Sequence, residues 1–380
     1  MVNDLNTEKQ ILYIIAENQY SNTTWYSRVI EGIYKEAARR QMKVVLCADE
    51  QFRQLPKGTI PILLGSSLPF ITEYINLCIL KEYRPIVAGF EVFQNSQQVS
   101  YITINRQQAM SEVVKALLSC GARHIALLGV NSSIQTDMLR YNGWAAVVRA
   151  YGIGDIKKDV FYSDSGLPAC MDAFWEHYRE YDAVACANDY YAAYLCSQAA
   201  QKNVSIPETL MVTGFGNTQI SQYTHPTLTT VALNLSSVGI QTINLFRSLS
   251  KNPDLLSCTA TLKSEIIYRN STRWQKQPLP GKAIFTENIT SAFEPTFESH
   301  LKNVYALENT LMTMDDTDRK IISGLLQKES YNRLAENLFL SDTAFKYRLY
   351  KLFSATNCKN RTELTELFRN YIPEFDKNLH

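Results

Sequence analysis

Over the first 270 residues, short apolar runs alternate with helical patterns in a regular rhythm, and few folds accept that order. ILYIIA (11–16), KVVLCA (43–48), IPILLG (60–65), PIVAGF (85–90), HIALLG (124–129), DAVACA (182–187) and LMVTGF (210–215) read as strands. Most are near-continuously apolar rather than alternating, as strands covered on both faces must be. Between them, RVIEGIYKEAARRQ (28–41) and the stretches around 71–82, 107–120 and 190–202 carry helical spacing, and GWAAVVRAYG (143–152) lies in a further helix. This order predicts an α/β fold of parallel sheets flanked by helices. Two such units in residues 1–274 predict a two-lobed binder with a ligand cleft between its lobes.

The pattern lapses from Gln275 to Pro295, where prolines at 278, 280 and 295 and Gly281 mark a linker. Phe297, Leu301, Val304, Glu308 and Leu311 then resume helical spacing, so a connecting helix is expected within 275–312. Residues 313–380 are helix-patterned and predict a small all-α domain.

Composition narrows the function classes. An apolar fraction of 46% with 20% charged residues is ordinary for a globular chain, and the formal net charge is only +1. Any surface for a polyanion must therefore be local. The first apolar run, Ile11 to Ala16, is too short for a signal-peptide core, and no run of about 18 apolar residues occurs. A soluble, cytoplasmic protein with no membrane partner is expected. The eight cysteines (47, 78, 120, 170, 186, 196, 258, 358) are scattered without a C-x-x-C pair, and the histidines do not join them. Reduced thiols, no metal and no cofactor are expected. With no phosphate-cradling glycine loop, nucleophile elbow or placed triad, enzymatic function is not expected.

In open α/β sheets, ligands gather beyond the carboxyl ends of the strands. That selects Asn22 and Trp25 after the first strand, Ser66 and Ser67 after the third, and Asn188 and Asp189 after DAVACA. Each has a plainer role open to it. Asp189 serves equally as a helix N-cap, Ser66 and Ser67 as caps of the next helix, and Trp25 as core.

The last helices carry a second candidate site. Asp315 or Asp316 can cap a helix with the stripe Ile321, Ile322, Leu325 and Leu326. Tyr331 to Leu338 makes a short helix, Phe339-Leu340-Ser341 a turn, and Asp342 to about Ser354 a third helix capped by Ser341. Arg361 to Tyr371 makes a fourth. On the third, Phe345, Leu349, Leu352 and Phe353 share one face. The opposite face carries Thr343, Tyr347, Tyr350 and Lys351, flanked by Lys346 and Arg348. Five basic residues (Lys346, Arg348, Lys351, Lys359, Arg361) face one acidic residue between Ser341 and Arg361. A helix of that length and charge fits the DNA major groove. A protein-interaction module without a DNA function remains the alternative.

Two resemblances sharpen these expectations. SRVIEGIYKEAARRQMKVVLC, AMSEVVKALLSCGARHIALLG, RYNGW, DAVACANDYYAA, VTGFGN and HPTLTTV resemble, in order, the ligand-binding core of LacI/GalR-type repressors. That resemblance implies a periplasmic-binding-protein fold, a homodimer and a small-molecule effector, a sugar or other small metabolite. It implies that Arg140 contacts the effector, although Arg140 can instead pair with a carboxylate. Asn217 falls in the same ligand set. Gly216 and Asn217 stand where the family usually has an aspartate, and Asn105 replaces another, which removes charged acceptors for sugar hydroxyls. Repressors of that type carry an N-terminal headpiece, for which the strand expected from Ile11 leaves no length. The stretch RLAENLFLSDTAFKYRLYKLF with CKNRTEL resembles the LuxR/NarL-type helix-turn-helix. It implies that Lys346, Tyr347 and Tyr350 face bases or phosphates, with Arg361 in the closing segment. Together these imply a ligand-responsive transcription regulator whose partners are DNA and the effector.

Overall fold

A computed structural model describes residues 10–18, 21, 23–90, 98–273, 302–373 and 375. Two six-stranded sheets build two lobes. The first lobe contains β1 (Ile11–Ala16), β2 (Lys43–Leu46), β3 (Ile62–Leu64), β4 (Ile86–Ala88), β5 (Ser100–Ile104) and β11 (Thr259–Leu262), in the order β11-β5-β4-β3-β1-β2. The second contains β6 (Ile125–Val130), β7 (Val160–Tyr162), β8 (Ala183–Cys186), β9 (Met211–Gly216), β10 (Thr229–Leu233) and β12 (Ser264–Ile267), in the order β12-β10-β9-β8-β6-β7. The strands pair in parallel except for β12 on β10. Strands β3, β4, β5, β6 and β8 are buried at every residue, which is why their sequences lack alternation.

The chain passes between lobes three times, after β5, β10 and β11. The first two crossings end alike. Asn105 accepts from the Gln108 amide and starts α4 (Arg106–Ser119), and Asn234 accepts from the Ser237 amide and starts α8 (Leu235–Lys251). Each helix then packs closely on the opening helix of the lobe it enters. A Cβ on Gly239 of α8 would lie 2.2 Å from the Val29 carbonyl oxygen of α1 (Thr24–Arg39). One on Gly143 of α5 (Gln135–Tyr151) would lie 2.1 Å from the Gln107 oxygen of α4. Glycine is what lets these backbones meet.

The remaining helices of the lobes are α2 (Asp49–Arg53), α3 (Leu68–Leu80), α6 (Leu167–His177) and α7 (Asp189–Gln201). The C-terminal part consists of α9 (Lys302–Thr313), α10 (Asp316–Leu326), α11 (Tyr331–Asn337), α12 (Asp342–Thr356) and α13 (Arg361–Tyr371). Asp315 and Asp318 form a reciprocal capping box on α10, and Ser341 accepts from the Ala344 amide to cap α12. Residues 274–301, most of the expected linker, lie outside the described residues, as does Asn22. Helix α9 overlaps the end of the expected linker, and it does not stand apart as a spacer. Val304, Leu307 and Leu311 belong to one buried cluster with Leu195 and Ile220 of the second lobe and Phe345 and Phe368 of the last helices. Among the described residues no helix is long and apolar enough to cross a membrane. Five cysteines are buried and all eight are thiols.

Candidate functional site

At the end of β1, Glu17 is 7% exposed and governs the loop after β3. Its carboxylate accepts from the amides of Ser66 (2.8 Å) and Ser67 (3.0 Å) and from the Ser67 hydroxyl. Ser67 also caps α3 through the Phe70 amide. Both serines therefore have structural work, and Ser66 keeps a partly exposed side chain. Trp25 stands in the first turn of α1, partly buried against the first-lobe core and edge-on to Tyr26.

On the second lobe, Arg140 projects from the second turn of α5. It pairs with the buried Asp137, which also accepts from the Asn131 amide at 3.1 Å. Its guanidinium lies 4.6 Å from the centre of the Phe215 ring. Its Nε is buried and has no hydrogen-bond partner among the described residues. Burial raises the Asp137 carboxyl, while Arg140 pulls the other way.

Asn188 and Asp189 divide the roles differently from the expectation. Asn188 is the cap of α7, accepting from the Tyr191 amide, and Asp189 is the first helical residue. Asp189 is 0% exposed, and its oxygens accept from the Thr218 amide (2.7 Å), the Thr218 hydroxyl (3.0 Å) and the Thr230 hydroxyl. It thus serves as a strut that ties α7 to the ends of β9 and β10. Burial raises its carboxyl, and these donors counter that only in part. Asn217, in the left-handed region at φ 47°, accepts from Arg269 Nη2 at 2.6 Å. Arg269 also donates to the Leu228 carbonyl at 2.7 Å. Asn105, noted for lacking a charge, is the helix cap at the first crossing.

Among the described residues, hydrogen-bond contacts join the first lobe to residues of the second. Thr24 Oγ1 is 3.3 Å from Tyr190 Oη, and Arg106 Nη2 donates to the Gly89 carbonyl at 3.0 Å. Glu17, Asp137, Tyr190 and Arg269 were not singled out from sequence. Their partners lie far along the chain, except for the Asp137–Arg140 pair, whose i,i+3 spacing was visible.

On the C-terminal helices, α12 buries Phe345, Leu349 and Leu352 and leaves Thr343, Lys346, Tyr347, Tyr350 and Lys351 exposed. Tyr347 is 70% and Tyr350 72% exposed. The two arginines turn inward. Arg348 Nη1 donates to Asp315 (2.8 and 2.9 Å) and to the wholly buried Asp318 (2.6 Å), bolting α12 to the start of α10. Arg361 donates to the carbonyls of Leu325 (3.0 Å) and Glu329 (2.8 Å), closing the end of α10, and lies over the Tyr331 ring. Arg348 and Arg361, partly exposed, thus also clamp their helices to α10. Buried carboxylates and helix-end carbonyls claim guanidinium donors in preference to solvent.

Two parallel sheets joined by three crossings, with polar loops at their strand ends, define a periplasmic-binding-protein-like fold. A model of the periplasmic binding protein-like domain matches residues 114–272. The chain is 27% identical over 287 residues to the HTH-type transcriptional repressor CytR of Escherichia coli K12, covering 70% of this chain and 80% of CytR. It is 23% identical to the HTH-type transcriptional repressor PurR of Histophilus somni, covering 65% and 77%. The crystal structure of transcription regulator CcpA of Lactococcus lactis superposes with a TM-score of 0.58 at 20% identity, over 70% of this chain and all of that one. CytR and PurR are transcriptional repressors.

Proposed function

We propose that the chain is a ligand-responsive transcription regulator. A small molecule bound between the lobes modulates DNA binding by a C-terminal helix-turn-helix of LuxR/NarL type, formed by α11 and α12. The observation that carries this reading is the pairing of a repressor-like sensor with a helix whose apolar side is buried and whose Thr343, Lys346, Tyr347, Tyr350 and Lys351 face outward. Arg140 is the foremost effector contact, because its buried Nε still has a donor to offer a hydroxyl or carboxylate. Asn188, Asn217, Ser66 and Trp25 complete the proposed site. The regulator works in the cytoplasm as a homodimer, which gains from linking two half-sites.

The test is binding to fragmented genomic DNA over a range of salt. Wild-type protein retains specific fragments with a steep salt dependence. Lys346→Ala with Lys351→Ala lowers the slope of log K on log salt by about two, roughly one for each phosphate that a lysine no longer neutralises. Absent or salt-insensitive binding sinks the proposal. Phe339 at 96% exposure, with Tyr347 and Tyr350, favours a second reading in which the same face holds a protein. Retained partner protein without retained DNA would decide for it.

A further inference from the structure

Helix α9 touches both lobes and the last helices at once. On the second lobe, the Glu308 carboxylate, 1% exposed, accepts from the amides of Gln219 (2.8 Å) and Ile220 (2.7 Å). Tyr305 meets Tyr190 edge-on, with ring centres 4.6 Å apart. Toward the first lobe, Met312 Sδ lies 3.9 Å from the Thr24 hydroxyl, which is itself 3.3 Å from Tyr190 Oη. On its other side, Val304, Leu307 and Leu311 share a buried cluster with Phe345, Leu349 and Leu352 of α12.

These sensor contacts fall on the segments that leave the strand ends of the proposed effector site. Thr24 precedes Trp25, Tyr190 follows Asn188 and Asp189, and Gln219 follows Asn217 and Thr218. The charge of Arg28 on α1 also acts on Glu308, and a further contact of the C-terminal helices, Arg319 Nη1 to Tyr223 Oη at 2.7 Å, falls on the second lobe. Any change in the angle between the lobes must move Thr24 against Tyr190 and Met312. Glu308 meanwhile holds α9 to the second lobe, so the displacement is delivered to a helix packed on α12. Close-packed contacts of this kind shift between discrete arrangements rather than deform smoothly.

We propose that α9 is the element through which the arrangement of the two lobes acts on the C-terminal helices, with Thr24, Tyr190 and Glu308 as its positioning residues. The proposal deepens the regulator reading and rests on it for biological meaning, while its contacts can be tested without DNA. The experiment is hydrogen exchange on the full chain carrying Thr24→Val, Tyr190→Phe, Glu308→Ala, or Thr24→Val with Glu308→Ala. Thr24→Val, a change in the first lobe, raises exchange across α12 at least threefold and leaves β8 protected. Tyr190→Phe, which keeps its ring on Tyr305, does the same. Glu308→Ala raises exchange across α9 and α12 at least tenfold, and Thr24→Val then adds nothing. Exchange of α12 that ignores both Thr24→Val and Tyr190→Phe, with β8 still protected, overturns the proposal. Those two variants decide the matter even where Glu308→Ala unfolds the chain. Failure of the regulator reading is seen separately, as wild-type protein that retains no genomic fragment.

Discussion

Asp189 and Glu308 place two carboxylates in one buried region at the strand ends of the second lobe, each held by amides or hydroxyls. Burial pushes the Glu308 carboxyl from 4.5 up to about 7, against the lowering by the Gln219 and Ile220 amides. Asp189 on α7 adds to the rise, and Arg28 on α1 opposes it. The folded chain therefore holds more protons than the unfolded chain between these values. Stability is expected to fall as pH rises from about 4.5 to 7 and to level off above, by up to about 3 kcal/mol from this group. Denaturant unfolding at stepped pH checks this, and Glu308→Gln should flatten that part of the profile. Residues acting on near neighbours were legible in sequence: Ser341 caps α12 as its position before the helix implied, and Phe345, Leu349 and Leu352 are buried as their spacing implied. Glu17 was not legible, because the serines it holds lie 49 and 50 residues away. The clamping roles of Arg348 and Arg361 were hidden for a related reason, since local charge counts cannot reveal an acceptor on another helix.

Helices and strands whose period is uniform were the readable elements. Strands β1, β6, β8 and β9 fall within a residue or so of their apolar runs. Strands β5, β7, β10, β11 and β12 were not singled out, and for the last two the cause is plain. β11 (TATL) and β12 (SEII) are short strands with exposed positions, so neither carries a continuous apolar signal. The serines and Gly239 of α8 weaken a helix signal that tertiary packing overrides, since α8 is held by the close approach of its backbone to α1. Gly239→Ala is expected to destabilise the chain by about 1–3 kcal/mol, because the added methyl meets the Val29 carbonyl and backbone must shift. Denaturant unfolding at fixed pH reads this directly, and an unchanged midpoint would mean that α1 and α8 separate at little cost.

At the scale of the whole molecule, the two-lobed sensor was evident from the order of its elements, whereas its union with the last helices was not. The lapse in pattern after Gln275 read as a linker, which by itself predicts no packing between the parts it joins. Instead the second lobe and the last helices share one apolar cluster from Leu195 to Phe368, with α9 inside it. Helices packed on the second lobe in this way can respond to lobe movement directly, provided an effector binds one lobe arrangement better than another. A thermal-shift screen of sugars, nucleosides and amino acids identifies molecules that bind the folded chain. The most direct measurement is then the affinity of the full chain for its retained genomic fragment, at fixed salt, with and without each such molecule. A ligand-responsive regulator changes its DNA affinity by roughly 5-fold to 150-fold with at least one of them. DNA affinity unmoved by every molecule that stabilises the sensor would contradict it.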